Sequence, residues 1–517
     1  MSDTNDDRLN DNESDTIDSH VHELNAGPVV AEKQPPYSVF QLWEVWTIVC
    51  MGALSALFSP LSANIYFPAI PAISEAFHQS VEKINLTVTV YMIFQGIAPT
   101  FWGSVADRKG RRPSFILCLF LLTVSCIGLA LTPTSAYWLL ILLRCVQAAG
   151  SASTVALAFG VIADIVPARD RGGFIGVSNI GPMVGPCIGP VIGGLLADHL
   201  GWRSIFWFLA IASACCMIVM ILFLPETLRS QVGNGSIPAP KWNRALIPII
   251  GRSTLDIDSS RPPPRPLPNP FRLFKEPDMV CLLFPTGVLY AAFYAVTATI
   301  SSLFSENFPW LTETQIGLCF LSVGGAGIIG AVLLGKVLDY QYRVTKRIFD
   351  EKRLPISEKG LEHSEKAPKI ENSSDESIDF PIEKARFRLQ PYWIIVYSIT
   401  LIGYGWSIES KTSIAVPLIL QFILGITFIA IMLSMQTLIV DLFPNQGSSV
   451  TAANNLVRCL LGAGTISVIT LITNAIGPGW TYTLCGGICL LMTPITYIEL
   501  MMGPRWRKRR IEREHAA

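Results

Sequence analysis

The chain has 517 residues, half of them hydrophobic and only 15% charged, with 39 cations balanced by 39 acids. That is too apolar for an ordinary soluble enzyme and excludes a strongly basic nucleic-acid binder. The neutral balance hides segregation, because the charge is concentrated in tails and connections while long stretches carry almost none.

Residues 1–45 form an acidic, polar N-terminal tail, read as disordered and cytosolic. Twelve apolar segments follow, at about 46–66, 84–103, 114–132, 138–162, 174–197, 204–224, 279–302, 315–337, 391–408, 414–440, 451–475 and 480–502. Each is long enough to cross a hydrocarbon core of about 30 Å as a helix. The expected fold class is therefore all-α integral membrane, with a six-helix bundle over 46–224 and a second over 279–502. A cytosolic linker, 225–278, joins them, a polar insertion at 339–390 interrupts the second, and 503–517 is a basic tail.

Orientation follows from charge. Between the second and third segments runs Gly103-Ser-Val-Ala-Asp107-Arg108-Lys109-Gly110-Arg111-Arg112, four cations in a tight hairpin. Basic short loops stay in the cytosol, and the choice that puts this hairpin there also places 33 of the 39 Lys/Arg inside. Both termini are then cytosolic. The run Arg505–Arg510 reads as an interfacial anchor on anionic inner-leaflet lipid.

The halves repeat. Gly103-xxx-Asp107 recurs as Gly335-xxx-Asp339, and Asp164-Ile-Val-Pro167 as Asp441-Leu-Phe-Pro444. A duplicated bundle with its substrate site near the midplane between repeats is a transporter plan. Arg261-Pro-Pro-Pro-Arg265-Pro in the linker reads as a stiff spacer. The twelve cysteines all fall in apolar segments without metal-like spacing, and Gly330-xxxx-Gly335-Lys336 lacks the Ser/Thr of a phosphate loop. No catalytic residue, metal or cofactor is expected, and the lack of any nucleophile–base or metal-ligand spacing makes an enzyme the least favoured class.

Three constellations carry mechanism. Gly181, Gly185, Gly189 and Gly193 leave a bare stripe on the fifth segment, and Pro182, Pro186 and Pro190 each follow one place on. The stripe permits backbone-to-backbone helix packing, and the prolines permit bending. Arg144, inside the fourth segment with Gln147 one turn on, is an arginine within a span, where a cavity or partner is the default reading. Arg458, beside Asn454 and Asn455 in the eleventh, either binds an anionic substrate group or neutralises Asp441. Asn64 in the first segment is a polar candidate for the same cavity.

Gly103-xxx-Asp107-Arg-x-Gly-Arg111-Arg resembles the loop signature of the major facilitator superfamily, and the fifth-segment glycine-proline run resembles its antiporter signature. Leu61-Ser-Ala-Asn64-Ile-Tyr66-Phe-Pro68 and Gln436–Pro444 are similar to the fungal twelve-span drug:proton antiporters, particularly the quinidine-resistance group, over residues 40–505. The resemblance implies proton-coupled export of drugs or toxic metabolites across the plasma membrane by alternating access, by a monomer whose partners are substrate, protons and lipid. It gives Arg144 a part in proton coupling, and makes Asp107, Arg111 and Asp164 a charge network closing the inside. It also packs the fifth helix on the eighth, where Gly324, Gly325, Gly327 and Gly330 would face it. Two departures stand out. The first helix has no carboxylate, so the proton site is unassigned. No arginine stands near Pro182, where organic-acid exporters of the group carry one, which tilts the cargo towards neutral or amphiphilic compounds. An organic-acid or polyamine exporter, or a non-transporting membrane sensor, are the alternatives.

Overall fold

A computed structural model describes residues 37–167, 170–250, 274–360, 380–443 and 447–515. The acidic tail up to residue 36, the proline-rich 261–268 stretch and the serines of the second insertion lie outside the described residues, as does the side chain of Asp339.

The described chain is helical throughout. In the first half α1 (Leu42–Asn64) leads through a 3-10 turn at Phe67–Ala69 into the short α2 (Ile70–Phe77). There follow α3 (Val81–Lys109), α4 (Arg111–Leu131), α5 (Tyr137–Ser151) running into α6 (Ser153–Ile165), α7 (Arg171–Leu200) and α8 (Arg203–Phe223). In the second half come α9 (Pro277–Asn307), α10 (Glu313–Gly360), the one-and-a-half-turn α11 (Ile382–Phe387), α12 (Gln390–Glu409), α13 (Ala415–Leu442), α14 (Gly447–Leu490) and α15 (Thr493–His515).

Ten stretches are long and apolar enough to span a bilayer. The last, Val450–Arg513, is 64 residues long, about three bilayer thicknesses if straight. It is not straight. Gly477 adopts φ 78° and ψ 161° ahead of Pro478, and Arg510 near the far end donates to the Leu442 carbonyl, five residues before α14 begins. The stretch therefore folds back on itself and makes two passes, and the 20-residue α12 adds another, giving twelve.

The two sets of six pair alike. In the first half α1 packs on α7, α4 on α8, and α3 on α5. In the second, α9 packs on α14, α12 on the return pass from Pro478, and α10 on α13. Across the seam α3 meets α14 and α7 meets α10, again a symmetric pair of contacts.

The fifth helix packs on the eighth as expected, but its glycine stripe is not the face that does so. A Cβ at Gly185 would fall 2.6 Å from Pro60 Cγ, and one at Gly181 would fall 2.9 Å from the Ala53 carbonyl. Gly189 and Gly193 likewise abut Asn64 and Ile65. The stripe is thus buried against α1 within the same half, not against α10. The α7–α10 seam uses other residues: Gly324 against Cys187, Gly194 against Gly317 and Glu313, and Gly317 against the Pro190 carbonyl. Gly327 and Gly330 face Ile429 and Ile426 of α13, and Gly325 faces open space. Pro182, Pro186 and Pro190 lie inside an α7 that continues unbroken for 30 residues.

Overpacking a close helix contact costs about 1–3 kcal/mol. Gly185→Leu should therefore lower the apparent melting temperature of the purified protein. Gly173→Ala, whose Cβ would meet nothing within 4 Å, should leave it within error.

Candidate functional site

Arg144 is the largest fully buried side chain among the described residues, with 0% exposure. Its helix, α5, starts after Ala136 and brings it beside Tyr66, just past the end of α1 at Asn64. The guanidinium carbon sits 4.3 Å from the ring centre of Tyr66 and 4.3 Å from that of Tyr91, so two aromatic faces sandwich the cation. Nη1 donates to Gln147 Oε1 at 2.7 Å, one helical turn away, while Gln147 Nε2 points to Cys126 Sγ at 3.3 Å. Nε and Nη2 have no hydrogen-bond partner. The tyrosines are themselves fixed, Tyr91 Oη by Ser62 at 2.7 Å and Ser151 at 2.8 Å, Tyr66 Oη by Thr87 at 3.0 Å.

The second half repeats the arrangement with the order of residues reversed. Arg458 Nη2 donates to Asn455 Oδ1 at 3.0 Å, its guanidinium carbon lies 4.7 Å over the Tyr290 ring, and its Nε is unpartnered. Asn455 also reaches across the seam, donating to the Gln95 carbonyl at 3.0 Å. Among the described residues no carboxylate lies within ion-pair distance of either guanidinium. Asp441 is held instead by Arg386 at 3.0 Å, so Arg458 does not neutralise it.

Aromatic rings join the two arginines. Phe67, next to Tyr66, approaches Tyr294 at 6.5 Å and Phe320 at 6.3 Å between ring centres, and Tyr294 lies 4.6 Å from Tyr290. Sequence reading found Arg144, Gln147, Arg458 and Asn455 but missed these tyrosines. Tyr66 lies inside the Leu61–Pro68 stretch that carries the resemblance but was given no role there; Tyr91, Tyr290 and Tyr294 belong to no motif, and only the four-residue spacing of the last two on α9 marks them out. Asn64 is buried beside the site, yet its amide donates back to the Pro60 carbonyl of its own helix at 2.7 Å.

The charge network stands apart from this site. Arg111 Nη1 pairs with Asp107 at 2.8 Å and Nε with Asp164 at 2.9 Å, as the motif implies. All three residues belong to the first half, so the network staples the α3–α4 hairpin to the end of α6 rather than bolting the halves together. Its strongest member was missed. Glu226, buried just after α8, accepts from the Arg111 backbone amide at 2.8 Å, from Arg112 at 3.3 Å, from its own neighbours Thr227 and Leu228, and from Asn243. A carboxylate at the N-terminus of α4 satisfies open amides and meets the favourable end of the helix dipole.

Hydrogen bonds between the halves cluster at the end away from Arg111. Asn85 donates to Thr470 at 2.9 Å, Asn474 to Glu82 at 2.8 Å, and Thr314 to Asp198 at 2.6 Å. Towards the Arg111 end, a Cβ at Gly103 on α3 or Gly335 on α10 would meet open space.

Two six-helix bundles joined by a symmetric seam, with a buried arginine in the first half and a half-buried one in the second linked by aromatic rings, define a membrane transporter of small molecules. The chain belongs to the Major Facilitator Superfamily, whose family model matches residues 52–349. It is 37% identical over 508 residues to Citrate exporter 1 of Aspergillus niger, covering 96% of this chain and 94% of that protein. It is 35% identical over 495 residues to the MFS-type transporter phiD of a fungal species, covering 93% of this chain and 72% of that one. Among solved structures, the xylose transporter XylE of E. coli in a partially occluded inward-open conformation matches with a TM-score of 0.61 and 14% identity, over 88% of this chain and 97% of that one.

Glu226→Ala should destabilise the protein by about 2 kcal/mol or more, because several buried donors lose a charged acceptor together. Asp107→Asn, at an ion pair whose acid is 40% exposed, should cost under about 1 kcal/mol. Apparent melting temperatures of the two purified variants check the ranking.

Proposed function

We propose that this protein exports small organic acids, compounds carrying two or more carboxylates, by alternating access. One observation carries the reading: two guanidiniums, Arg144 in the first half and Arg458 in the second, keep N–H donors without a hydrogen-bond partner and have no acidic partner among the described residues. A cation buried without a counter-charge is expensive, and the expense is offset when an anion arrives. Arginine's planar fork is suited to carboxylate, and a ligand with carboxylates at both ends would bridge the halves. Cationic polyamines would be repelled by the same pair. The likeness to a citrate exporter supports this cargo over the neutral one expected from the missing arginine near Pro182. The fifth helix lacks that charge, and Arg144 and Arg458 supply it from elsewhere.

The Arg111 end is taken as cytosolic, with both termini on that side, and the plasma membrane as the site of export. With the halves bonded at the opposite end, the conformation described is the one that loads from the cytosol. Inward proton flow drives the cycle in this reading. The aromatic walls favour a second cargo class, planar amphiphiles of the kind drug:proton antiporters move, which would stack on Tyr290, Tyr294 and Phe428.

Proteoliposomes measuring movement of labelled citrate test the cargo. Arg144→Ala and Arg458→Ala should each reduce transport at least about thirtyfold, the equivalent of about 2 kcal/mol of lost charge-assisted binding. Unimpaired citrate movement in both variants, or movement of a neutral aromatic dye alone, overturns the organic-acid reading. Transport that ignores an imposed pH gradient removes the coupling to protons.

A further inference from the structure

At the Arg111 end of the second half a second buried charge cluster lies well away from the central site. The basic run that follows the last pass is only partly turned to the membrane surface. Arg505, Lys508 and Arg509 are exposed, but Arg507 and Arg510 point inward with 6% and 7% exposure. The lipid-anchor reading therefore holds for one face of α15 alone. Arg510 pairs with Asp278 at the start of α9 and also donates to the Leu442 carbonyl at the end of α13. Arg507 Nε lies 3.1 Å from Glu383 on α11, and its Nη2 donates to the Phe380 carbonyl at 2.8 Å. Arg513 reaches Glu276 at 3.0 Å nearer the surface. The end of α15 thus clasps the returning ends of both long connections.

The cluster holds one acid too many. Glu499, two turns before Arg507, is fully buried, and neither of its carboxyl oxygens has a hydrogen-bond partner. A Cβ at Gly503 would lie 2.8 Å from Glu499 Oε1 and 3.1 Å from Glu383 Cγ, so both acids crowd the same bare glycine. The titratable and charged groups that face Glu499 are Asp278 and Cys281 from α9, Glu383 from α11, and Arg510 from its own helix. Arg507 and Arg510 are already engaged by Glu383 and Asp278. Burial also pushes the Glu383 carboxyl up, with Arg507 opposing, so this corner is poor at holding further negative charge. An ionised Glu499 would be a buried carboxylate without a partner, next to two other acids.

We propose that Glu499 is a proton-binding site that governs the clasp formed by Arg507 and Arg510. With the proton bound, the Asp278–Arg510 and Glu383–Arg507 pairs stand undisturbed. When the proton leaves, the new carboxylate competes for Arg510 and Arg507 and loosens α15 from α9 and α11. Nothing in this depends on the cargo.

The test uses the full-length purified protein, with pH as the probe and Glu499→Gln as the variant. A protonated carboxylic acid gives an infrared carbonyl stretch that the glutamine variant lacks. That band should be present in the wild type at neutral pH, vanish in Glu499→Gln, and disappear from the wild type as pH rises. Stability should follow. An ionised carboxylate buried without a partner costs stability, so the wild type should lose stability with rising pH relative to Glu499→Gln. The difference should close at acid pH, below the ordinary glutamate range. Absence of the band at neutral pH, or a Glu499→Gln protein less stable than wild type there, overturns the proposal. So does a glutamine variant that fails to fold while Glu499→Asp folds, since that would show the negative charge to be required.

Discussion

A guanidinium buried in an apolar bundle without a counter-ion is the constraint on which the rest of this architecture turns. Arg144 is sealed from solvent and no carboxylate among the described residues pairs with it, so the charge is met by what the fold can bring to it: two tyrosine faces and one amide oxygen. Holding Tyr66 and Tyr91 in place requires Ser62, Thr87 and Ser151, which ties α1, α3 and the α5–α6 junction around one side chain. The break of α1 at Ile65 and its continuation through Phe67 then carry the aromatic wall across the seam to Tyr294. Two of the N–H-bearing nitrogens of Arg144, Nε and Nη2, are left without a hydrogen-bond partner.

Elsewhere the protein treats charge differently. At the Arg111 end each half carries a dense, well-paired network: Asp107, Arg111, Asp164 and Glu226 in the first, Arg386 with Asp441 and the α15 arginines with Glu383 and Asp278 in the second. These pairs stay within their own halves, so each bundle can move as a body. The seam is held by different means, small residues and single hydrogen bonds between polar side chains. Gly324 on Cys187 and Asn85 on Thr470 are contacts of this kind. Weak, separable contacts between stiff bundles suit a rocking motion, whereas ion pairs across the seam would fix one state.

Much of this was readable from the chain. Twelve spans, the internal repeat and the Asp107–Arg111 pair follow from hydropathy, charge and spacing, and so does the choice of Arg144 as the residue to explain, while the place of Asp164 beside that pair came from the family resemblance. These properties are local or nearly so: a run must be apolar along its length to cross a bilayer, and an i,i+4 pair on one hairpin needs no distant partner. The two arginines were found for the same reason, because a charge inside an apolar run stands out against its own neighbours.

Partners across the bundle were the part that tertiary structure alone decided. The glycine stripe of α7 announces close packing but not on which helix, since a bare face fits any smooth surface. Its burial against Pro60 and Ala53 depends on how six helices are arranged. Glu226 and Glu499 both follow or end an apolar run and look alike in sequence. One is satisfied by a ring of amides and the other by nothing, a distinction set by which backbone ends converge on each. Sequence by itself determined where the chain is apolar and where it is charged, because those are properties of single residues and their near neighbours. Which charge meets which was fixed only when the bundles closed, because in a medium that excludes water every polar group must find its partner inside the protein.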